Sequence, residues 1–255
     1  KVVLSYLKTT YDKTEKEPDV TIEGLVKDTD YSVTYSNNVN AGTATVTIVG
    51  MNDYVGTLYQ YFTIEPAKMT GVSVHGYKGT YDESIHTITL DGVPEGAVVT
   101  YASEESGIYS EMKPDRRSAG TTTVYYKIKK ANYEELKGCV KIVIEAAPIA
   151  EKKVELSDVS YVYDGTAKSP NVAIAGMIRG IDFTVSYSKN VDAGTGTVTV
   201  EGIGNYKGVL YQYFTIEPAE LTGISAQGYT GEYDKKSHTI ILQGVPEGAV
   251  VTYAT

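Results

Sequence analysis

The chain has 255 residues with a formal net charge of −9, a balance that speaks against nucleic acid, since phosphate binding needs a basic face. It speaks equally against an anionic membrane surface, and no apolar run approaches the length of a bilayer span. A single Cys excludes a disulfide framework, and 23 Tyr with 3 Phe, no Trp and plentiful Thr and Val fit pleated, half-buried surfaces.

In chain order, the first turn signal is Tyr11-Asp12-Lys13, and the next is Asn40-Ala41-Gly42, whose residue types tolerate a tight or left-handed backbone. Thr45-Val46-Thr47-Ile48 then alternates with period two, its valine and isoleucine pointing one way and its threonines the other. In Leu58-Tyr59-Gln60-Tyr61-Phe62-Thr63-Ile64, Leu58, Phe62 and Ile64 share a face with Gln60, and Tyr59, Tyr61 and Thr63 share the opposite one. After Glu65-Pro66-Ala67-Lys68 a second pattern begins. The turn Asp91-Gly92-Val93-Pro94-Glu95-Gly96 leads to alternating runs at Val98 to Tyr101, Thr123 to Ile128 and Val140 to Ile144. Between the last two, Asn132 to Lys137 has room for one helical turn and no more. Cys139 falls in the Cys139-Val140-Lys141-Ile142 alternation and reads as strand filler.

From Lys153 the chain repeats itself. Lys1–Ser103 aligns without a gap on Lys153–Thr255, about 60 of the aligned pairs being identical, including Tyr59 to Ala67 against Tyr211 to Ala219. Each period splits again: Ala41-Gly42-Thr43 is answered by Ala119-Gly120-Thr121, and Asp53-Tyr54 by Asn132-Tyr133 and Asn205-Tyr206. Four modules follow, at residues 1–67, 68–148, 149–219 and 220–255. The fourth lacks a counterpart of Gly120–Ile144, so it reads as truncated and the chain as a segment of a longer array. The expected fold is all-β: tandem small Ig-like β-sandwich modules in an elongated array, with proline-bearing junctions that limit hinging. The alternative is β-grasp-like modules, which require a helix across the sheet.

Candidate chemistry is sparse. His86 follows Asp82 by four residues, as His238 follows Asp234; on a continuous strand such a pair is about 13 Å apart, too far to share a metal. A turn carboxylate bonded to backbone or imidazole is the better reading. Asp28 with Asp30, and Glu104 with Glu105, match no calcium-loop spacing and read as solvated charge. No catalytic, metal or cofactor site is expected, and the chain does not read as an enzyme. Tyr59, Tyr61, Tyr211 and Tyr213 are the ligand-binding candidates: exposed, they would stack on sugar rings, whereas their exact duplication favours packing between modules or across strands. A Lys–Asn isopeptide crosslink would need a buried Lys, an Asn and a carboxylate brought together, which sequence does not show.

Tyr163-Asp164-Gly165-Thr166-Ala167-Lys168-Ser169-Pro170, with Asn190-Val191-Asp192-Ala193-Gly194-Thr195 and Gly204-Asn205-Tyr206-Lys207-Gly208, resembles the tandem Ig-like repeats of Gram-positive bacterial surface adhesins. The second module type, Tyr81-Asp82 through His86-Thr87-Ile88-Thr89-Leu90 to Gly92-Val93-Pro94-Glu95-Gly96-Ala97, resembles the related YDG-type, MBG-like repeats. The first module departs from the pattern in having Lys13 where the turn glycine would stand. The resemblance implies a non-catalytic stalk or spacer at an extracellular bacterial cell surface or cell wall. Its partners would be neighbouring modules of a longer chain, with no nucleic acid and no membrane insertion in this segment. The competing expectation is a carbohydrate- or host-protein-binding module set that uses the tyrosines.

Overall fold

The computed structural model describes residues 1–253. Among them there are strands and turns, one 3-10 turn at Ile149–Glu151 and no α-helix. The helix that a β-grasp module lays across its sheet is therefore missing, and the fold is all-β. The chain divides into two units: Lys1–Ala147 together with Gly204–Tyr206, and Pro148–Ile203 with the chain from Lys207 onward.

The first unit begins with β1 (Val2–Leu4), β2 (Lys8–Thr10), β3 (Val20–Ile22), β4 (Tyr31–Ser36), β5 (Gly42–Gly50) and β6 (Thr57–Glu65). They form a four-stranded sheet in the order β2-β6-β5-β4 and a two-stranded layer, β1-β3. The edge strand β2 runs parallel to β6, and the other pairs are antiparallel. Alternation dictates the layering. Ala44, Val46 and Ile48 of β5, with Phe62 and Ile64 of β6, point inward and are buried, while Thr45 and Thr47 point outward. Val20 of β3 and the half-buried Val2, Leu4 and Ile22 cover this face. Each such aliphatic side chain contributes roughly 1.5–3 kcal/mol when fully buried. Two tyrosines tie the layers together: Tyr31 donates its hydroxyl to the Val20 carbonyl at 2.9 Å, and Tyr35 donates to that of Pro18 at 2.6 Å.

The unit continues with β7 (Ser73–His75), β8 (Tyr77–Thr80), β9 (His86–Thr87), β10 (Thr89–Asp91), β11 (Val98–Ala102), β12 (Asp115–Arg116), β13 (Gly120–Lys129) and β14 (Leu136–Glu145). Here the sheet order is β11-β13-β14-β8, again with a parallel edge strand, β8 against β14. Ile88, Tyr101, Val124 and Ile142 form its core. The helical turn allowed for between residues 132 and 137 does not form. Pairing of β13 with β14 runs out to Ile128↔Leu136, so the connection is a tight reversal in which the Tyr133 N–H donates to the Lys130 carbonyl. Cys139 lies on the exposed outer face of β14, beside Tyr125 of β13.

The second unit repeats the first scheme. Val154–Leu156 pairs with Val172–Ile174, and Ser160–Val162, Val209–Glu217, Gly194–Gly202 and Phe183–Ser188 make the four-stranded sheet in that order. Phe183, Val198, Val200, Phe214 and Ile216 fill its core with Ile149. Beyond it, Ser225–Gln227 pairs with Ile241–Gln243, and no residue from 220 to 253 is buried. Ile240 is 41% exposed where its counterpart Ile88 is 0%, and Tyr253 is 63% exposed where Tyr101 is 7%. In the second module β13 and β14 cover these positions; residues 220–253 contain no counterpart of either strand.

Candidate functional site

The tyrosine candidates stand in the open. Tyr59 and Tyr61 are 57% and 58% exposed on the outer face of β6, and Tyr211 and Tyr213 match them on Val209–Glu217. The expectation that these rings pack between modules is corrected, because they project from the sheet face opposite the core, which no described element covers. Their neighbours are cross-strand hydroxyls. Register sets Tyr61 beside Thr45 and then Ser36, and Tyr59 beside Thr47 and then Thr34. Tyr213 and Tyr211 head the equivalent rows through Thr197 and Thr199. Each copy is a flat platform of two rings flanked by Ser and Thr.

The Tyr–Asp turns are self-contained. Asp12 Oδ1 accepts from the Thr14 N–H at 2.9 Å and from its hydroxyl at 2.6 Å, and it pairs with Lys16, whose side chain is buried. Asp164, Thr166 and Lys168 repeat this arrangement. The lysine amine, then the threonine, hold both carboxyls well below the usual carboxylate range. Asn38 and Asn190 donate Nδ2 to the backbone carbonyls of Lys16 and Lys168, so the buried amines meet a carboxylate and a hydroxyl, and the crosslinking triad is not assembled there. The remaining turn types fold Asp82 onto His86, with Nε2 2.9 Å from Oδ1, and the imidazole stacks on Tyr77 at 3.8 Å between centroids. That contact, with the Ser84 N–H, lowers the Asp82 pKa. Asp234, His238 and Tyr229 form the same set. Asp30 accepts from the Val26 N–H at 2.7 Å and acts as a turn cap. No group of three or more His, Cys, Asp or Glu is placed to hold a metal ion among the described residues.

The most elaborate polar arrangement was not anticipated from sequence. Asn132, in left-handed backbone at φ 69°, reaches from the second module into the first. Its Oδ1 accepts from the Ala41 N–H at 2.9 Å, its Nδ2 donates to Asn40 Oδ1 at 2.8 Å, and its carbonyl accepts from the Ala67 N–H at 3.0 Å. The Glu134 N–H then donates to the Ala67 carbonyl. Tyr133 lies edge-to-face on Tyr11 at 5.6 Å. The backbone-to-Oδ1 bond, the junction bond and the ring pair of this clasp recur within the first unit. Asn205 Oδ1 accepts from the Ala119 N–H at 2.8 Å, its carbonyl accepts from the Ala147 N–H, and Tyr206 lies edge-to-face on Tyr81 at 5.6 Å. A plug, the Asn–Tyr turn, thus seats in a socket made of the Tyr of a Tyr–Asp turn, the Ala of an Ala–Gly turn and the Ala that ends a junction. The available signal was the recurrence of Asn–Tyr, Ala–Gly and the proline-bearing junction once per module.

No protein-family model matches the chain, and no curated protein matches it. Among solved structures it is similar to a protocadherin gammaB7 EC3–6 cis-dimer, with 10% identity and a TM-score of 0.25, covering 86% of this chain and 77% of that one. It is similar also to the human desmocollin-1 ectodomain, with 7% identity and a TM-score of 0.24, covering 85% of this chain and 58% of that one. A third is the surface layer protein SbsC, domains 4–9, with 15% identity and a TM-score of 0.20, covering 89% and 48%. Likenesses this loose carry no argument, and the fold rests on the chain's own strands and register.

Proposed function

We propose that this chain is a non-catalytic structural segment of a bacterial cell-surface adhesin, a spacer of Ig-like modules of the YDG-type kind working outside the cell. The observation that carries the reading is the repeated clasp. Four hydrogen bonds and an aromatic pair join residues 1–67 to residues 68–148. A net gain of about 1 kcal/mol per bond favours modules that transmit load as a coupled series. Cell-wall attachment and a Gram-positive source follow only from the motif resemblance. No helix among the described residues is long and apolar enough to cross a membrane.

The exposed tyrosine platforms favour a second reading, a carbohydrate- or host-protein-binding module set. Rings more than half exposed beside Ser and Thr hydroxyls suit stacking on a sugar face. A glycan array and a host-protein pull-down with the intact chain distinguish the two. The spacer reading expects no ligand to be retained. Retention lost in a Tyr59→Ser, Tyr61→Ser, Tyr211→Ser, Tyr213→Ser variant would replace it with the binding reading.

A further inference from the structure

Among the described residues three sockets of the clasp type are present and two are filled. The third is made by Tyr163, Asp192, Ala193 and Ala219, the counterparts of Tyr11, Asn40, Ala41 and Ala67. It opens as a hollow of about 500 Å³ lined also by Pro218, Glu220 and Leu221. In the filled sockets Tyr11 and Tyr81 are half-buried and the Ala41 and Ala119 N–H groups are bonded. In the third, Tyr163 is 39% exposed, Ala193 is exposed, and its N–H has no partner among the described residues. The sequence from residue 220 onward contains no Asn, so it holds no plug of its own.

We infer that this hollow is a docking socket for the Asn–Tyr turn of a further module of the type found at residues 68–148. The residue at the Asn40 position selects the occupant. At the first socket the Asn132 amide donates to Asn40; the third presents the Asp192 carboxylate at that position, a stronger acceptor for the same Nδ2 donor. The chain's own unused plug, Asp53-Tyr54, with Tyr54 44% exposed, would bring a second carboxylate against Asp192. Like charges at hydrogen-bonding distance repel, so a second copy of this chain is the disfavoured partner. The assignment rests on the spacer reading for the type of module, and each can fail without the other: ligand capture would end the spacer reading and leave the socket standing.

Amide hydrogen exchange tests it. In the chain as it stands, the Ala193 N–H should exchange on the order of 100-fold faster than those of Ala41 and Ala119. Appending a copy of residues 104–148 after Thr255, which completes the repeat in register, should bring Ala193 to the protection of Ala41. Asn132→Asp in the appended copy should remove that protection, and Asp192→Asn should restore it. The charge rule is also readable in the unextended chain: Asn40→Asp should leave Ala41 protected, and adding Asn132→Asp should expose it. Unchanged exchange at Ala193 on extension, or indifference of Ala41 to the paired substitutions, would overturn the proposal. So would Ala193 protection that rises with protein concentration and disappears in Tyr54→Ala, which would make a second copy the occupant.

Discussion

The residue after each Tyr–Asp pair adopts a left-handed backbone: Lys13 at φ 74°, Glu83 at 66°, Gly165 at 77° and Lys235 at 63°. The turn is thus kept whether or not glycine is present, because the Asp carboxylate accepts the N–H two residues on and pins the loop. A side chain pays for that geometry through its Cβ, so Lys13→Gly should raise stability by about 1 kcal/mol in denaturant titration. Gly165→Lys should lower it by a similar amount, since a Cβ there meets nothing within 4 Å and the effect is purely one of backbone. Acid sensitivity follows from the same turns. Asp12 and Asp164 have folded pKa values below their unfolded ones, so their contribution is complete above the unfolded carboxylate range, about pH 4, and is lost as pH falls through the depressed folded values. Melting temperature should fall as pH drops below about 4, and Asp12→Asn with Asp164→Asn should flatten that fall. The Asp82–His86 contact agrees with the turn carboxylate read from sequence, bonded here to both a backbone N–H and the imidazole. A continuous strand would hold the two groups apart, and the left-handed Glu83 supplies the turn that brings them together.

Strands and their inward faces were legible because period two is local: Val46, Ile48, Phe62 and Ile64 are buried as the alternation requires. Alternation also put Tyr59 and Tyr61 on one face but says nothing of what lies over that face, so it does not separate cross-strand neighbours from neighbours in another module. The parallel edge strands and the clasp join residues far apart, Ala41 and Asn132 being separated by 91 positions, and no local pattern encodes such a contact. The clasp's energy should be concentrated at the asparagine. Asn132→Ala leaves the Ala41 N–H and Asn40 Oδ1 without their partners, a cost on the order of 1–3 kcal/mol where the group is buried. Because both modules keep their cores, the expected outcome is uncoupling rather than unfolding. Thermal unfolding of the first unit should broaden or split in Asn132→Ala, while Asn38→Ala, which removes a bond inside one module, should shift the transition without splitting it.

Three cores are spread along the chain, within residues 1–67, 68–148 and 149–219, and residues 220–253 have none. The contrast is instructive because the sequences are nearly duplicates. Ser225–Gln227 and Ile241–Gln243 form the same antiparallel pair that β7 and β10 form, so local sequence is sufficient for the hairpin-like pairing. It is insufficient for burial, since the inward residues of β13 and β14, Val124 and Ile142 among them, supply the opposing wall of the second core. A two-stranded pair without a covering layer is marginal in water. Amides of Ile241–Gln243 should therefore exchange on the order of 100-fold faster than those of Thr89–Asp91 in dilute protein. Mild proteolysis should cut between residues 220 and 253 before it cuts anywhere in residues 1–147. Exchange at Ile241–Gln243 as slow as at Thr89–Asp91 would mean that residues 220–253 bury their apolar face in solution, and a concentration series would tell burial against another copy of the chain from burial within one.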